Sequence, residues 1–315
     1  MQILEKYGRD DIAWVFLGKT SKGNTVEFVE SVQPPIPRED KEVIIISTLV
    51  GCPAGCFMCD AGGFYEGKLS AGEMLEQIDY IVCKRFGDFK VPSKKFKIQF
   101  ARMGEPALND EVLEVLKELP RRYIAPGLLP SISTIAPVAR EAFFESLIEI
   151  KNEYYASGRF QLQFSIHSTD YRQRDAIIPV KKWNFKDIAE YGKRFYKEGD
   201  RKITLNFALG KENIIEAEKI REFFDPDIFL IKITPVNPTY RAIENNIESA
   251  VDSGKKALPY HPGLLEKFEE FGYQVILSIG ELEENKIGSN CGQFVQRHLN
   301  SKLKISEAYK YESIR

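Results

Sequence analysis

Three cysteines, Cys52, Cys56 and Cys59, lie within eight residues and follow the apolar stretch 43–46. A strand that ends in a loop of thiols is typical of a metal site at the edge of a parallel sheet. A structural zinc ion takes four protein ligands, and storage or electron-transfer iron–sulfur clusters usually take four cysteines. Three cysteines around a 4Fe–4S cluster leave one iron free to bind another molecule. The count therefore predicts a catalytic 4Fe–4S centre.

The same spacing also allows a zinc site whose fourth ligand is Cys83, Cys291 or one of the three histidines. Cys83 lies beside the apolar stripe of a predicted helix at residues 71–86, where we expect a small buried side chain. Cys291 lies between Gly288 and Gly292, and these glycines predict a loop that lets the thiol move. Spacing alone does not decide between a cluster and a zinc ion.

The composition limits the classes of function. Lys plus Arg number 44 against 46 for Asp plus Glu, so no global positive charge favours nucleic acid, and any RNA contact must be local. The five cysteines are odd in number and mostly clustered, which argues against a disulfide framework and predicts a reducing, cytoplasmic environment. We see neither a leader pattern nor an apolar run of the roughly 18 residues that span a membrane, so we expect no membrane association.

From residue 43 onward, apolar strand-like runs alternate with amphipathic helical runs, which predicts βα units around a mainly parallel sheet. Six units rather than eight predict an α/β fold of the open, TIM-barrel-like type, a partial (β/α)6 barrel over residues 42–300. The predicted strands lie near 43–48, 95–101, 128–134, 161–166, 202–208 and 227–234, and the predicted helices near 71–86, 110–119, 139–152, 185–198 and 213–223.

Two segments flank this predicted barrel. Residues 1–41 contain strand-like runs at 12–17 and 25–29 around a Gly-Asn turn, which predicts a small N-terminal β-hairpin extension. At the other end, a helix near 261–271, a strand near 273–279 and a loop at 280–290 lead to Cys291. Residues 301–315 are polar, and we expect a frayed tail.

Polar side chains follow several of the predicted strands. In parallel α/β folds, ligands bind beyond the carboxyl ends of the strands, so these residues are candidates for binding. Gly104 would permit a close backbone approach, and Glu105 could hold a ligand ammonium group. The candidates at the strand ends are Gly104, Glu105, Ser131, Ser133, Ser165, Ile166, His167 and Asn237.

Five segments together resemble one group of enzymes. They are Cys52-x3-Cys56-x2-Cys59, Gly104-Glu105-Pro106 with Asn109, Ser165-Ile166-His167, Arg174-Asp175-Ala176-Ile177-Ile178-Pro179-Val180-Lys181-Lys182 and Asn290-Cys291-Gly292-Gln293. In their order and spacing, from about residue 11 to 294, the chain resembles the radical S-adenosylmethionine RNA methyltransferases that methylate adenine at carbon 2, and their relatives that act at carbon 8. The cysteine motif alone indicates only the radical S-adenosylmethionine superfamily.

The resemblance implies roles for individual residues. Cys52, Cys56 and Cys59 would hold the cluster, and S-adenosylmethionine would chelate its fourth iron and contact the strand-end candidates named above. Cys291 would be a methyl carrier, which takes a methyl group from one S-adenosylmethionine, loses a hydrogen atom to the 5′-deoxyadenosyl radical made from a second, and adds to the substrate ring. Glu30 aligns with the family's proton acceptor. A flavodoxin- or ferredoxin-type protein would supply electrons.

Three features depart from the family pattern. A second reactive cysteine, which resolves the covalent link between carrier and substrate, is replaced by Ile45. The family's N-terminal helical RNA domain has no counterpart in residues 1–41. The aromatic residue usually just before the last cluster cysteine is shifted one place earlier, to Phe57, and Met58 takes its position.

We therefore predict a radical S-adenosylmethionine enzyme of the methyltransferase type, with Cys291 as carrier. Its substrate would be adenine in rRNA or tRNA, or a smaller related molecule. One alternative is a radical enzyme that runs another reaction on a peptide or metabolite, because Ile45 offers no resolving thiol. The other alternative is a zinc-stabilised RNA-binding protein.

Overall fold

The computed structural model describes residues 1–32 and 34–314. A ten-stranded sheet forms its centre, and two short strands form a separate hairpin. The strands are β1 (Gln2–Arg9), β2 (Ala13–Lys19), β3 (Thr25–Ser31), β4 (Glu42–Ile46), β5 (Leu49–Gly51), β6 (Tyr65–Lys68), β7 (Phe96–Phe100), β8 (Leu128–Thr134), β9 (Gln161–Ser165), β10 (Ile203–Leu209), β11 (Phe229–Pro235) and β12 (Val275–Leu277).

The strand order in the main sheet is β1-β2-β3-β4-β7-β8-β9-β10-β11-β12. The first four strands pair antiparallel, and every pairing from β4 to β12 is parallel. The predicted α/β fold with a mainly parallel sheet is confirmed. The predicted hairpin is also present as β2 and β3, but these strands continue the main sheet through β4, so residues 1–41 are not a separate layer.

The helices connect the parallel strands. They are α1 (Ala71–Phe86), α2 (Glu111–Arg122), α3 (Glu141–Tyr154), α4 (Tyr171–Ile177), α5 (Phe185–Phe195), α6 (Ala217–Phe223), α7 (Tyr240–Glu244), α8 (Leu264–Glu270), α9 (Leu282–Ile287) and α10 (Val295–Asn300). The first begins at a capping box, in which Ser70 and Glu73 bond each other's backbone N–H groups. Helix α9 occupies most of the predicted loop 280–290, and α4 lies in a segment too short to show a helical period.

The parallel strands alternate apolar and polar residues, and this alternation gives the sheet two different faces. In β7, Phe96, Ile98 and Phe100 are fully buried in the large apolar core beneath the helices. Lys97 and Gln99, on the opposite face, remain partly accessible. The inner face of β7 is therefore polar and partly accessible, while its outer face belongs to the core.

The C-terminal tail is packed rather than frayed, which corrects the prediction for residues 301–315. Ile305, Ala308 and Tyr309 are buried in a second apolar cluster, and Ile314 exchanges backbone hydrogen bonds with Lys6 of β1 at 2.9 and 3.1 Å. The prediction was wrong because the mostly polar composition of residues 301–315 gave no sign of these few apolar contacts. Within the described residues, no helix is long and apolar enough to cross a membrane.

Candidate active site

The three clustered cysteines lie in a closed loop between β5 and β6. The Cys52 N–H donates to the Phe64 carbonyl at 3.0 Å, and the Cys59 N–H donates to the Cys56 carbonyl at 3.1 Å. Gly62 lies against Gly55, where an added Cβ would come within 2.8 Å of the Gly55 Cα. A larger residue at position 62 would therefore push the loop open.

The loop surrounds its sulfur atoms with protein. Burial raises the pKa of Cys52 to about 11 and of Cys56 to about 12, and it raises the pKa of Cys59 well above the usual value. The charge of Cys52 also raises the pKa of Cys56, and the charges of Cys291, Cys56 and Cys52 raise the pKa of Cys59. Such sulfurs are stable as thiolates only when a positive centre neutralises them.

Backbone N–H groups also point at these sulfurs. Those of Ala54, Gly55 and Glu105 hydrogen-bond to Cys52, and that of Ala61 hydrogen-bonds to Cys59. A neutral thiol is a weak acceptor, whereas a cluster-bound thiolate is a good one. The donor set therefore fits a 4Fe–4S cluster. In the described chain, no three His, Cys, Asp or Glu side chains form a ligand group for a single metal ion.

Helix α7 holds the cysteine loop from the other side. Asp60 accepts the N–H groups of Tyr240 and Arg241 at 3.1 and 2.9 Å. The Arg241 guanidinium then donates to the carbonyls of Gly55 at 2.9 Å and Cys56 at 3.1 Å. These bonds connect the loop to a helix some 180 residues later in the chain, so its shape is fixed by tertiary contacts.

The structure brings Cys291 to the cysteine loop. The Asp60 N–H donates to the Gly292 carbonyl at 2.9 Å, and the Asn237 side-chain amide donates to the Cys291 carbonyl at 3.0 Å. The charge of Cys291 raises the pKa of Cys59. The carrier candidate and the third cluster candidate are therefore neighbours, although 232 positions separate them in the sequence, from 59 to 291.

The Cys291 side chain is accessible although its surroundings desolvate it. Its residue is exposed, yet burial raises its thiol pKa, and Lys232 and Arg102 oppose this shift by favouring the thiolate.

Gly292 allows this close approach, and its replacement should disrupt it. Its φ is +83°, and an added Cβ would lie 3.0 Å from the Met58 carbonyl oxygen. We expect Gly292→Ala to displace the thiol and to lower methyl transfer onto Cys291 at least tenfold, an effect of about 1.4 kcal/mol or more on the barrier. Peptide mass spectrometry of Cys291 over time checks this. Gly199→Ala, at an exposed positive-φ glycine with open space around it, is the matched control.

A buried ion pair that the sequence did not reveal fixes the Cys291 loop. Arg102 donates to Glu27 at 2.8 Å and to the carbonyls of Gly288, Ser289 and Asn290 at 3.0, 3.4 and 3.3 Å. The carboxylate of Glu27 also accepts the backbone N–H groups of residues 295 and 296 at 3.2 and 2.7 Å. The pair thus holds the backbone on both sides of the thiol.

Glu30, the predicted proton acceptor, lies on the wrong face of the sheet. Alternation along β3 puts Glu27 on the inner face with the Cys291 loop and Glu30 on the outer face. There Glu30 is buried and accepts Arg38 at 2.7 Å and Arg85 of α1 at 2.6 Å. The structure therefore does not support a catalytic role for Glu30. The two glutamates are three positions apart, and the pattern did not show which one faces inward.

We expect Glu30→Gln to lower stability without lowering activity. The amide cannot neutralise two guanidinium groups, so the free energy of unfolding should fall by about 2 kcal/mol, the range for hydrogen bonds to charged groups. Urea denaturation measures this loss, and Cys291 methylation should keep its rate. The exposed Glu190→Gln serves as control. A large loss of methylation at unchanged stability would restore Glu30 as a catalytic candidate.

Glu105 is buried beside the cysteine loop. It accepts the hydroxyl of Thr134 and the N–H groups of Ile135 at 2.9 Å and Ala107 at 3.0 Å. Burial raises its pKa to about 7 despite these bonds. A Cβ added at residue 104 would lie only 2.6 Å from the Leu49 side chain. The contact with Leu49 therefore accounts for glycine at this position without a ligand.

The other strand-end candidates lie along the inner face in β8 and β9. Ser131 is buried in β8, while Ser133 accepts a hydrogen bond from Gln163 at 3.2 Å. Ser165 ends β9 and is partly accessible. Ile166 is fully buried, and His167 follows with a φ of +62°.

His167 is buried and held neutral. Its Nδ1 accepts the N–H of Ala208 at 3.0 Å, and its carbonyl accepts the Asn213 amide at 2.7 Å. Burial lowers its pKa to about 3. At neutral pH this ring therefore carries no charge and can position the β9 turn without serving as a cation.

Two sequence observations are settled by the packing. Ile45 lies on the inner face of β4 and packs in the apolar cluster of Val29 and Tyr309, so its position is occupied by hydrocarbon. Cys83, expected to be buried, is exposed on α1. It lies on the outer helix layer and is a poor candidate for a fourth metal ligand.

The long basic segment at 174–182 packs against the cysteine loop. Ile177 and Ile178 form a small apolar cluster with Ala54, against which Cys52 and Cys56 pack. The Phe57 N–H donates to the Ile177 carbonyl at 2.9 Å. This segment therefore shields one side of the sulfurs from water.

Comparison with solved structures identifies a protein of the same fold. The fold is that of a radical S-adenosylmethionine methyltransferase from Sphaerobacter thermophilus, with a TM-score of 0.70 and 19% identity over 93% of this chain and 80% of that one. No protein-family model matches the chain.

Curated relatives give a more specific result. The chain is 28% identical over 295 residues to the probable dual-specificity RNA methyltransferase RlmN of Fervidobacterium nodosum, which covers 91% of this chain and 77% of the relative. It is 27% identical to the protein of the same description from Thermotoga petrophila, over 90% of this chain and 80% of that protein. The chain is thus related to the radical S-adenosylmethionine RNA methyltransferases, and the predictions of this resemblance and of an enzyme are confirmed. Enzymes of this class use a 4Fe–4S cluster and S-adenosylmethionine.

Proposed function

We propose that this protein is a radical S-adenosylmethionine methyltransferase that carries a methyl group on Cys291 and delivers it to adenine in RNA or in a related nucleotide. The observation that supports this most directly is the position of the Cys291 loop against the loop of Cys52, Cys56 and Cys59. The relatives described as RNA methyltransferases support RNA as the substrate class, and the choice of adenine in rRNA or tRNA follows from the motif resemblance.

In this proposal Cys52, Cys56 and Cys59 hold the cluster, which supplies, when bound, the electron that cleaves S-adenosylmethionine reductively. Glu105 and the inner-face residues Ser131, Ser133, Ser165 and Asn237 bind the rest of the cofactor, and Ile166 and His167 shape the turn behind it. A flavodoxin- or ferredoxin-type protein provides the electron. The free cysteines support a reducing, cytoplasmic location.

The carrier step uses groups present in the chain. The Cys291 thiol loses its proton to solvent, and its sulfur bonds to the methyl carbon as the carbon–sulfonium bond of S-adenosylmethionine breaks and S-adenosylhomocysteine leaves. Lys232 and Arg102 favour the thiolate that this step needs. Because Ile45 has no thiol, delivery of the methyl group must proceed by a route that does not use residue 45.

Peptide mass spectrometry tests the proposal. The cluster is reconstituted without oxygen, S-adenosylmethionine is added, and the peptide containing Cys291 is measured. We expect a methyl group on Cys291 that is absent in Cys291→Ala. An unmodified Cys291 together with 5′-deoxyadenosine formation would contradict methyl transfer and indicate a radical enzyme acting on a peptide or metabolite. A colourless protein that retains zinc would instead indicate the zinc-stabilised alternative.

A further inference from the structure

Positive charge is concentrated at the amino ends of four neighbouring strands. Strands β7, β8, β9 and β10 are adjacent and parallel, so the helix ends and loops that lead into them meet at one edge of the sheet. We call these four segments the basic end, and they comprise residues 85–95, 121–127, 153–160 and 194–202. They contain eleven Lys and Arg against four Asp and Glu, whereas the whole chain has a net charge of −2. The basic end is therefore a local exception to the charge balance of the chain.

Contacts between the four segments make the basic end one continuous surface. The N–H of Ile124 donates to the Phe89 carbonyl, and that of Val91 donates to the Ile124 carbonyl, both at 3.0 Å. A cavity lies between the second segment and the third. The Arg201 guanidinium donates to the Gly158 carbonyl at 2.8 Å, which connects the third segment to the fourth. One extended ligand can therefore touch several of the segments at once.

Three arginines of the basic end carry charges that no carboxylate neutralises within the part of the chain that the structure describes. They are Arg121, Arg159 and Arg201, and all three are exposed. Each donates a hydrogen bond to a neutral oxygen, at 3.2, 3.2 and 2.8 Å respectively. Arg122 differs, because Asp79 pairs with it. A guanidinium without a carboxylate partner keeps N–H groups that can bind a phosphate.

The cavity between the second and third segments has aromatic and apolar walls. Its volume is about 280 Å³, and Tyr154, Ile124 and Pro126 line it together with Arg159. Ile124 is 65% exposed, so the cavity borders the outer surface. Arg121 donates to the Tyr154 hydroxyl at 3.2 Å, and its guanidinium carbon lies 5.7 Å from the centre of that ring. An accessible aromatic ring among arginines is the arrangement on which nucleobases stack while the phosphates beside them bind the cations.

This cavity lies at the opposite end of the sheet from the cysteine loop. Leu128, the first residue of β8, lines the cavity, whereas Thr134, the last residue of β8, donates to Glu105 beside the cysteine loop. The six steps along this strand span about 20 Å. A base in the cavity is therefore not the base that receives the methyl group.

We propose that the basic end binds a single-stranded segment of the RNA substrate away from the methylation site, with one nucleobase in the cavity and the adjoining phosphates on Arg121 and Arg159. The inference rests on the proposed function, because that function makes the partner an RNA. The charge of the basic end favours a polyanion, and Tyr154 favours one whose bases are accessible. A single strand offers such bases, whereas a duplex keeps them stacked on one another.

Fluorescence anisotropy with a labelled oligoadenylate of about 12 nucleotides tests this surface. The full-length, cluster-reconstituted protein is titrated at several potassium chloride concentrations between roughly 50 and 200 mM. On a single strand, each phosphate contact contributes about −0.7 to the slope of the logarithm of the association constant against the logarithm of salt concentration. We expect the double variant Arg121→Met/Arg159→Met to make this slope less steep by about 1.4.

Tyr154→Leu tests the base in the cavity separately from the phosphates. We expect it to weaken oligoadenylate binding about tenfold with an unchanged salt slope, because a stacked base releases no counterions. Tyr260→Leu, at a tyrosine that is 53% exposed elsewhere on the surface, is its control. Arg9→Met, at an exposed arginine of the edge strand β1, is the control for the arginines. Both controls should keep the affinity and the slope, and circular dichroism confirms the fold of every variant.

The outcomes separate the RNA surface from the proposed function. An unchanged slope in the double arginine variant would overturn the proposal. Equally tight binding of a poly-glutamate of the same length would also overturn it and indicate an acidic protein segment as the partner. Methylation of Cys291 is measured in the same variants without RNA and should keep the rate of the unaltered protein.

Two combinations of results are therefore decisive. A methylated Cys291 together with an unchanged slope would refute only the RNA surface. An unmethylated Cys291 in the unaltered protein, together with RNA binding that depends on Arg121, Arg159 and Tyr154, would refute only the carrier chemistry.

Discussion

Cys59→Ala is expected to abolish both cluster binding and all chemistry that depends on S-adenosylmethionine cleavage. The Cys59 sulfur lies in the loop with Cys52 and Cys56, burial raises the pKa of its thiol well above the usual value, and it receives a backbone N–H from Ala61. Its removal leaves two protein thiolates, which cannot hold a cluster that depends on three. Iron and sulfide content should fall to the level of unreconstituted protein.

The measurement follows anaerobic reconstitution. Iron, acid-labile sulfide and 5′-deoxyadenosine are quantified for the variant and for Cys83→Ala, whose thiol is exposed on α1. We expect Cys83→Ala to match the unaltered protein in all three quantities. Full iron content in Cys59→Ala would contradict the assignment and require another ligand, for which the neighbouring Cys291 is the first candidate. The iron content of the double variant Cys59→Ala/Cys291→Ala then shows whether Cys291 is that ligand.

Arg102→Met is expected to lower Cys291 methylation at least tenfold while the cluster is retained. The guanidinium holds three consecutive carbonyls before Cys291 and neutralises Glu27. Both partners of this pair are buried, with side-chain exposures of 2% and 0%. Removal of one partner of a buried pair typically costs about 3–5 kcal/mol, because the other charge is left unpaired. The variant should therefore lose stability as well as loop position.

A double variant separates these two effects. Glu27→Gln combined with Arg102→Met leaves no buried charge, so most of the stability should return. The carbonyls of residues 288–290 still lack their donor, and methylation should stay low. Arg194→Met removes an exposed pair with Glu145 and is the control for loss of an arginine. If the double variant regains full methylation, Arg102 acts only through stability and does not position the thiol.

The position of Ile45 bears on the onward step. Family resemblance places a resolving cysteine there, and in this structure the isoleucine packs with Val29 and Tyr309. Tyr309 belongs to the C-terminal tail, and its hydroxyl donates to the Asp60 carboxylate at 3.4 Å while accepting the Phe294 N–H at 2.9 Å. Through Tyr309, the tail thus contacts both the cluster around Ile45 and Asp60 of the cysteine loop.

Local sequence determined the parts of the protein that depend on short spacing. The spacing of the three cysteines, the capping box of α1 and the alternation along β7 are each set within a few residues of sequence. The predicted parallel α/β fold followed from these patterns and is confirmed. The family resemblance also rested on short motifs, because cluster ligation and helix capping require fixed residue types at fixed spacing.

Only the tertiary structure decided which distant groups meet. The pairing of Glu27 with Arg102 and the contact of the Cys291 loop with the cysteine loop join residues far apart in the chain. Local sequence patterns do not determine these long-range contacts. The contacts depend on the order of the strands in the sheet and on which side chains of each strand face inward. For the same reason the sequence could not show that Glu27 faces the site and Glu30 faces α1. That difference follows from the strand register alone.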